Sequence, residues 1–328
     1  MSRRVIVAAL AAVLALAPVT TATARPTAGL RVTGWILGSG TVAQVDRNAA
    51  GLTTLSVDGL HLHGRGVTRP SRQMRRLARR GHHDGLRSEL LVSNYSDALG
   101  DFDPAELHRL LAHPARVAAV AREVATTAAR GPWDGVNVDL EQVRRTDAAG
   151  LVSFVRRLQA DLPIRRTVSI DISAATSPAA YRNRGYELTP LGRAADVIDL
   201  MTYDYSGPTW TGPGPIGPLP WQRKALSTLL RRVPARRVQL GVAGYGYTWP
   251  THGTGRSVTD AGARGMVRKD GATARWDSGA GEWTATLSDG TVLWWSDARS
   301  YRLRERLARR AGVRGLAVWR VGSADRLR

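Results

Sequence analysis

The chain has 328 residues with 47 Lys and Arg against 27 Asp and Glu, and it contains no cysteine. The missing cysteines exclude disulfides and a thiol nucleophile, so a sizeable hydrophobic core has to stabilise the fold. The formal charge of +20 is nearly all arginine, because lysine occurs only at Lys224 and Lys269. This charge indicates either attraction to an anionic polymer, such as nucleic acid or bacterial wall, or arginines spread over solvated helix faces.

The first 24 residues have the layout of a secretory signal peptide. Arg3 and Arg4 precede an apolar stretch at 5–17, and Ala22 and Ala24 supply the small residues of a cleavage site. The apolar stretch is shorter than the roughly 20 residues that span a bilayer. We therefore expect residues 1–24 to be removed and residues 25–328 to form one domain. The mature protein is expected to be secreted, either extracellular or associated with the cell wall.

After this segment, short β-branched runs alternate with helical stretches rich in Ala, Leu and Arg. The predicted strands are 30–37, 52–57, 88–93, 134–140, 167–172, 197–203, 239–243 and 315–319. The predicted helices are 71–80, 114–130, 148–162, 221–233 and 300–311. This alternation predicts βαβ units and a parallel sheet. Eight strands over this length favour an α/β fold of the closed (β/α)8 type, the TIM barrel, with an open doubly wound sheet as the alternative.

Residues 248–293 break the alternation. The stretch shows no helical period, and its Asp-Gly pairs at 270–271 and 289–290 are typical of hairpin turns. We predict a small β-rich insertion of the α+β type, with two or three hairpin strands, between barrel strands seven and eight. Such an insertion would stand at the carboxyl-terminal rim of the barrel as one wall of a cleft.

The stretch from Trp133 to Glu141 carries the strongest chemical signal. Side chains alternate along a strand, so Asn137, Asp139 and Glu141 share one face while apolar residues share the other. Carboxylates facing a barrel interior are costly unless they are paired or take part in chemistry. They fall at the end of the strand, where barrel enzymes keep their active sites. The alternative, an edge strand with one wet face, conflicts with the surrounding βαβ pattern.

This stretch resembles the Asp-x-x-Asp-x-Asp-x-Glu signature of family 18 glycoside hydrolases, the chitinase family. Met-Thr-Tyr-Asp at 201–204 is similar to the Met-x-Tyr-Asp of the family's strand six, and segments 241–249 and 315–322 resemble its strand-seven and strand-eight ends. In order and spacing, the resemblance covers nearly all of the mature chain. The run at 294–300 is most similar to the branch of spore-cortex and peptidoglycan N-acetylglucosaminidases.

The resemblance implies a retaining reaction in which the N-acetyl group of the substrate is the nucleophile. Glu141 would protonate the glycosidic oxygen, and Asp139 would orient the acetamido group and stabilise the oxazolinium intermediate. Tyr203 and Asp204 would hold the acetamido group, and Trp319 would form the floor under the reacting sugar. The residues that the resemblance places against the substrate are Asn137, Met201, Tyr245, Trp249 and Trp319.

Two positions depart from the family pattern. The middle Asp is Asn137, and the aromatic residue that often precedes the acid is Leu140. The missing middle carboxyl predicts a changed pH dependence or a lower rate, although the Asn137 amide can still hydrogen-bond Asp139. Elsewhere, His61 and His63 have same-face spacing for a metal, but we interpret both as exposed surface histidines.

The sequence therefore predicts a glycosidase that cleaves β-1,4-linked N-acetylglucosamine glycans with neither metal nor organic cofactor. Peptidoglycan is preferred over chitin, partly because of the resemblance to the peptidoglycan branch and partly because the protein is basic and wall polymers are anionic. We expect a monomer that binds neither nucleic acid nor, after signal removal, membrane. The main alternative is a chitinase-like lectin that has lost catalysis, against which Glu141 argues. A nucleic-acid-binding protein is the remoter alternative, and steeply salt-dependent DNA binding would favour it.

Overall fold

A computed structural model describes residues 29–328, so the predicted signal peptide lies outside the described residues. Eight parallel strands form a barrel, which closes because the first strand pairs with both the second and the last. These strands are β1 Arg31–Ile36, β2 Thr54–His63, β3 Arg87–Ser93, β4 Gly135–Asp139, β5 Thr167–Ser173, β6 Val197–Met201, β7 Val238–Ala243 and β8 Gly315–Trp319. The predicted (β/α)8 barrel is confirmed, and the open sheet is excluded.

Helices surround the barrel. They are Val42–Asn48, Arg72–His83, Pro104–Leu111, Pro114–Ala129, Ala148–Asp161, Pro178–Asn183, Leu188–Ala194, Leu219–Leu230 and Ala298–Ala311. The five predicted helices are all present, and the four that the sequence did not reveal are too short to show a clear apolar period. None of the helices in residues 29–328 has the length and apolar character needed to cross a membrane.

The main hydrophobic core lies between the barrel and its helices. Val136 and Val138 of β4 are buried in it, as the predicted alternation requires. Asn137, between them, faces the barrel interior, where its side chain reaches residues of β1, β2 and β5. The alternation along β4 therefore separates a packing face from a chemical face.

The lower half of the barrel interior is also polar. Glu89 accepts hydrogen bonds from Thr167 and Ser169, each at 2.9 Å. Asp199 is 1% exposed, and within residues 29–328 neither of its carboxylate oxygens has a hydrogen-bond partner. Burial raises the pKa of both carboxyls. The folded protein therefore holds these protons more tightly than the unfolded chain does.

We expect Asp199→Asn to make the protein more resistant to alkaline unfolding. Because the folded-state pKa of Asp199 is raised, its contribution to stability is present below the unfolded pKa and is lost as the pH rises through the folded pKa. An amide does not ionise, so between about pH 5 and pH 9 the variant should lose less stability than wild type. Urea unfolding at both pH values measures this, with the exposed Asp161→Asn as control. Equal losses in all three proteins would contradict the expectation.

The predicted insertion between β7 and β8 is present and contains an antiparallel sheet of five strands. The strands are Gly246–Trp249, Ser257–Val258, Arg275–Asp277, Glu282–Thr286 and Val292–Trp295. The predicted turn at 289–290 joins the last two, and Gly290 adopts the positive φ of 84° that such a turn requires.

The insertion also contains a helix, Asp260–Asp270, so it has the predicted α+β composition, although no helical period in the sequence had located the helix. Its buried apolar face is short, with Ala263 and Val267 as the buried apolar residues, which is too few to show a period. Thr259 caps its first turn, and Gly271 ends it in the left-handed conformation, with φ of 76°. The Asp-Gly pair at 270–271 is therefore a helix end and not a hairpin turn.

Candidate active site

A cleft of about 430 Å³ opens at the carboxyl-terminal ends of the barrel strands. Glu141, two residues beyond β4, lines it together with Met201, Tyr203 and Asp204 from the end of β6. The structure thus brings together four residues that the sequence singled out in two separate segments. This face is the one on which barrel enzymes carry their catalytic groups.

Glu141 is held at the edge of the cleft by its backbone. Its N–H donates to Asn94 Oδ1 at 2.8 Å, and Asn94 Nδ2 donates to its carbonyl oxygen at 3.1 Å. The carboxylate has one long contact, 3.4 Å from the donating Ser173 hydroxyl. Burial raises the pKa of Glu141 well above its usual range, and the charges of Asp139 and Asp204 raise it further. Glu141 therefore has the properties of a proton donor.

Asp139 lies behind Glu141 on the same face of the chain. It is 7% exposed, and its Oδ1 has no hydrogen-bond partner within residues 29–328. Burial, followed by the charge of Asp58, raises the pKa of Asp139 to about 7, while Ser93 and His61 oppose the rise. A buried carboxyl with a raised pKa, beside a second carboxyl that lines a cleft, is typical of a functional site.

Asn137 does not make the hydrogen bond to Asp139 that the sequence suggested. Its Oδ1 accepts from Trp35 Nε1 at 2.7 Å and from Ser56 at 2.9 Å. Its Nδ2 donates instead to Asp171 Oδ1 at 2.8 Å. The Asn137 amide is satisfied by side chains of β1, β2 and β5, and Oδ1 of Asp139 is left without a hydrogen-bond partner within residues 29–328.

Asp171 is a member of this polar cluster that sequence reasoning missed. It is 2% exposed, and burial followed by the charges of Asp139 and Asp199 raises its pKa well above the usual range. The signal was present, since Ser169, Asp171 and Ser173 alternate with apolar residues along β5. This alternation repeats that of β4 and would have placed Asp171 inside the barrel.

Asp204 is oriented by two tyrosines from beyond β7. The hydroxyl groups of Tyr245 and Tyr247 both donate to its Oδ1, the latter at 2.8 Å. Asp204 adopts φ of 56°, a left-handed conformation uncommon outside glycine and often found at functional sites. Tyr245 is only 4% exposed, and its hydroxyl is bonded to Asp204. The structure therefore supports a role in orienting Asp204 more than the predicted contact with substrate. Tyr247 is a further residue that the sequence did not single out.

The aromatic residues predicted to contact sugar lie in different environments. Trp319 is half-buried at the end of β8, with its ring centroid 6.0 Å from that of Trp35. Trp249 is 7% exposed, and its Nε1 lies 3.2 Å from the carbonyl oxygens of Gly207 and Thr211, to which it donates. This burial does not fit the predicted sugar contact of Trp249. The residue instead ties the segment after β6 to the insertion.

Other aromatic residues near the cleft are more exposed. Tyr205 and Trp210 have 50% and 54% of their surface exposed. Tyr205 packs against Trp221, which lines the cleft. In the insertion, Trp283 stacks on the buried Trp295, and Leu293 beside them belongs to the same small core. The tryptophans of the insertion therefore serve mainly to hold its sheet together.

His61 differs from its sequence interpretation. It is half-buried, and its Nε2 lies 3.0 Å from Asp58 Oδ1, so it is not a free surface histidine, whereas His63 is exposed. In the strand register, His61 is level with Ser93, which is level with Asp139. The pair of Asp58 and His61 thus belongs to the polar surroundings of Asp139. Within residues 29–328, no group of three or more His, Asp or Glu side chains is arranged to hold a metal ion.

Comparison with known proteins assigns the class. Residues 52–324 match the family model for glycosyl hydrolases family 18. Because the match spans most of the chain, the protein belongs to this family and is a glycosidase. The family acts on glycans that contain N-acetylglucosamine. The predicted family and class of enzyme are confirmed.

Relatives and solved structures agree with this assignment. The chain is 24% identical to an uncharacterized glycosylase, YvbX, of Bacillus subtilis over 73% of this chain and 72% of that protein. It is 28% identical to the cortical fragment-lytic enzyme of the same organism over 66% of this chain, but spans only 53% of that enzyme. The spore cortex-lytic enzyme SleL of Bacillus cereus superposes with a TM-score of 0.81 at 19% identity, covering 91% of this chain and 72% of that one. A chitinase from Chromobacterium violaceum gives 0.79 at 25% identity, covering 90% and 96%.

Proposed function

We propose that the protein is a retaining hydrolase of β-1,4-linked N-acetylglucosamine glycans, with peptidoglycan preferred and chitin second. The observation that carries this proposal is the pairing of Glu141 with Asp139. One carboxyl is at the cleft with a raised pKa, and the other is buried behind it with a free oxygen. That arrangement suits a reaction in which the acetamido group of the substrate, and not a second carboxylate, attacks the anomeric carbon.

In the first step, protonated Glu141 gives its proton to the glycosidic oxygen as the bond to the anomeric carbon breaks. The acetamido oxygen bonds to that carbon, and the leaving sugar departs as an alcohol. Asp139 accepts the acetamido N–H through its free oxygen, and its negative charge stabilises the oxazolinium cation. In the second step, Glu141 takes a proton from water as the water oxygen attacks the anomeric carbon. The acetamido group is restored, and two inversions give retention.

The remaining residues position the sugar. Tyr203 lines the cleft and is placed to donate its hydroxyl to the acetamido oxygen. Asp204, fixed by two tyrosine hydroxyls, holds the same group from the other side. The half-buried indole of Trp319 offers a face to the C–H side of the ring. Preorganised contacts of this kind lower the barrier without reorganisation during the reaction.

The preference for peptidoglycan is supported by the relatives and by charge. Several of the matched proteins are described as cortical fragment-lytic or spore cortex-lytic enzymes, while others are described as chitinases. The formal charge of +20 would draw the protein to an anionic wall. Export through the segment at 1–24 would bring the enzyme to that substrate. Mass determination of protein recovered outside the cells would test this export, since a chain that retains residues 1–24 would contradict removal of the signal peptide.

The test of the proposed function is product analysis. Oligomers of N-acetylglucosamine and purified peptidoglycan are incubated with the enzyme, products are identified by mass spectrometry, and the first-formed anomer is read by NMR. We expect cleavage of both substrates, faster for peptidoglycan, with the β-anomer formed first. Formation of the α-anomer first would overturn the retaining mechanism. Binding without cleavage of either glycan would contradict the proposal and indicate that the protein is a lectin.

We expect Asp139→Asn to change the pH profile as well as the rate. The charge of Asp139 helps to raise the pKa of Glu141, so removing it should lower that pKa. Glu141 would then lose its catalytic proton at lower pH, and the alkaline limb of kcat/KM should move to lower pH. Rate profiles of wild type and variant on a neutral N-acetylglucosamine oligomer measure the shift. An unmoved alkaline limb would show that Asp139 does not act on Glu141 electrostatically.

A further inference from the structure

Arg184 lies in the catalytic cleft, although neither the family signature nor the proposed reaction assigns it a role. Of the residues in 29–328 that line this cleft, it alone carries a positive charge, beside the acidic Glu141 and Asp204. The side chain is exposed, and its Nη1 donates to the carbonyl oxygen of Ala174 at 2.5 Å. Ala174 directly follows Ser173, the residue that donates to Glu141. The guanidinium is therefore anchored one residue from Ser173, which donates a hydrogen bond to Glu141.

The backbone around Arg184 is built for this placement. Helix Pro178–Asn183 ends just before it, and Gly185 then turns the chain with φ of 74°. A Cβ at position 185 would come within 2.5 Å of Val143 Cγ1, so a side chain is excluded there on steric as well as conformational grounds. After the turn, Tyr186 is buried with its hydroxyl 3.4 Å from Ser173 Oγ. One tight turn thus directs Tyr186 inward to Ser173 and Arg184 outward into the cleft.

The charge of Arg184 has a consequence for the choice of substrate. The carboxylates of the cleft would repel a glycan that carries its own carboxylate, unless a cation offsets them. Guanidinium keeps its charge at all relevant pH values and pairs with carboxylate through two parallel N–H donors. The hydrogen bond to Ala174 occupies one nitrogen of the group, and within residues 29–328 the guanidinium makes no other hydrogen bond. Its remaining donors are therefore available to a ligand.

We propose that Arg184 binds a carboxylate substituent of the glycan and selects acidic over neutral N-acetylglucosamine polymers. The inference rests on the proposed function and deepens it, because it names the group on the substrate that is recognised. Chitin has no carboxylate. Peptidoglycan has two sources, the lactyl ether of its muramic acid and the side chains and ends of its peptides. The shared chemistry is a carboxylate held beside the sugar that reacts.

The test compares two substrates that differ in one charge. The first is a peptide-free oligosaccharide of alternating N-acetylglucosamine and N-acetylmuramic acid with free lactyl carboxylates, and the second is the same oligosaccharide with those groups converted to primary amides. We expect wild type to favour the carboxylate form in kcat/KM by about tenfold, the factor of one partly exposed ion pair of about 1.4 kcal/mol. Arg184→Gln should bring this ratio close to one. The ratio within each protein cancels any general loss of rate.

Two further variants separate charge from structure. Arg184→Lys keeps the charge and should retain most of the preference, and Arg182→Gln removes an exposed arginine two residues away and should retain all of it. Equal cleavage of both substrates by wild type would overturn the inference while the proposed function stands. Cleavage of neither, together with no cleavage of N-acetylglucosamine oligomers, would contradict the proposed function itself. An unchanged ratio in Arg184→Gln would show that the residue only supports the loop.

A third substrate identifies the source of the carboxylate. It is the same oligosaccharide with the lactyl group in amide linkage to a peptide stem, which carries its own carboxylates. Strong cleavage that depends on Arg184 would assign the contact to the peptide. Preference for the free lactyl form would assign it to the sugar. If Arg184→Gln loses no selectivity toward either acidic form, the proposal is wrong.

Discussion

Glu141→Gln is expected to lower kcat on N-acetylglucosamine oligomers by about 10²–10⁴-fold while the protein stays folded. The amide has nearly the same shape as the carboxyl but cannot give a proton to the leaving oxygen or take one from water. The fold should tolerate it, because Glu141 is held through its backbone by Asn94 and its carboxyl has one long contact of 3.4 Å. Substrate affinity should change little, since the loss falls on the chemical step.

The measurement is kcat and KM from initial rates, with thermal unfolding of the same samples as a check on folding. Glu123→Gln, an exposed glutamate on helix Pro114–Ala129 outside the cleft, is the matched control and should behave as wild type. A Glu141→Gln variant that keeps more than about a tenth of the wild-type kcat would show that another group supplies the proton. Asp204, which also lines the cleft, would then be the next residue to replace.

The second large effect concerns stability and the attachment of the insertion. Arg304→Met is expected to lower the free energy of unfolding by about 3–5 kcal/mol, because it leaves a buried carboxylate without its partner. Arg304 and Glu282 are each 1% exposed and lie 3.0 Å apart. Arg304 also donates to Gln222 Oε1 at 3.0 Å and to Gly217 O at 2.6 Å. One guanidinium thus joins the last helix, the insertion sheet and the segment after β6.

Glu282 completes this buried network, and its ionisation makes the destabilisation by Arg304→Met depend on pH. It accepts the backbone N–H groups of Ile216 and Gly217 at 2.6 and 2.9 Å. Burial raises the pKa of Glu282 and Arg304 opposes the rise, so removing Arg304 should raise that pKa further. The destabilisation should therefore be smaller in acid, where Glu282 can be neutral, and larger at alkaline pH.

Urea unfolding of wild type and Arg304→Met at acid and alkaline pH measures both effects. The exposed Arg302→Met on the same helix is the control and should cost less than about 0.5 kcal/mol. Adding Glu282→Gln to Arg304→Met should cost less than the sum of the two single changes, because no charge is then left unpaired. A cost below about 1 kcal/mol for Arg304→Met would contradict the role given to this pair.

Local periodicity was sufficient to predict the barrel. A strand that packs against helices on one side and carries functional groups on the other must alternate apolar and polar side chains. In β4, Val136 and Val138 alternate with Asn137 and Asp139. The end of such a strand is also where a barrel enzyme carries its active site, so Glu141 could be proposed as the acid before any contact was known. The same rule applied to β5 would have found Asp171, whose alternation with apolar residues is equally plain.

The local sequence pattern did not predict elements that are short or that are recognised only by the residues at their ends. Helix Asp260–Asp270 has a buried apolar face of two residues and is identified by its caps, so its terminal Asp-Gly pair was taken for a hairpin turn. Trp249 shows the same limit for single side chains. A tryptophan near a sugar cleft suits either stacking or packing, and only the positions of Gly207 and Thr211 decide that it packs.

The sequence by itself determined the fold class and the family and proposed Glu141 as the acid, because strand alternation and short motifs each depend on residues a few positions apart. The tertiary structure alone decided the partners of those residues. Asn137 bonds to Asp171 and not to Asp139, 34 positions separate the bonded pair, and both lie on neighbouring strands. Arg304 meets Gly217 across 87 positions, and Arg184 reaches the cleft because a glycine turn follows it. Hydrogen bonds and charges act over a few ångströms in space, so contacts between distant segments appear only when the chain is folded.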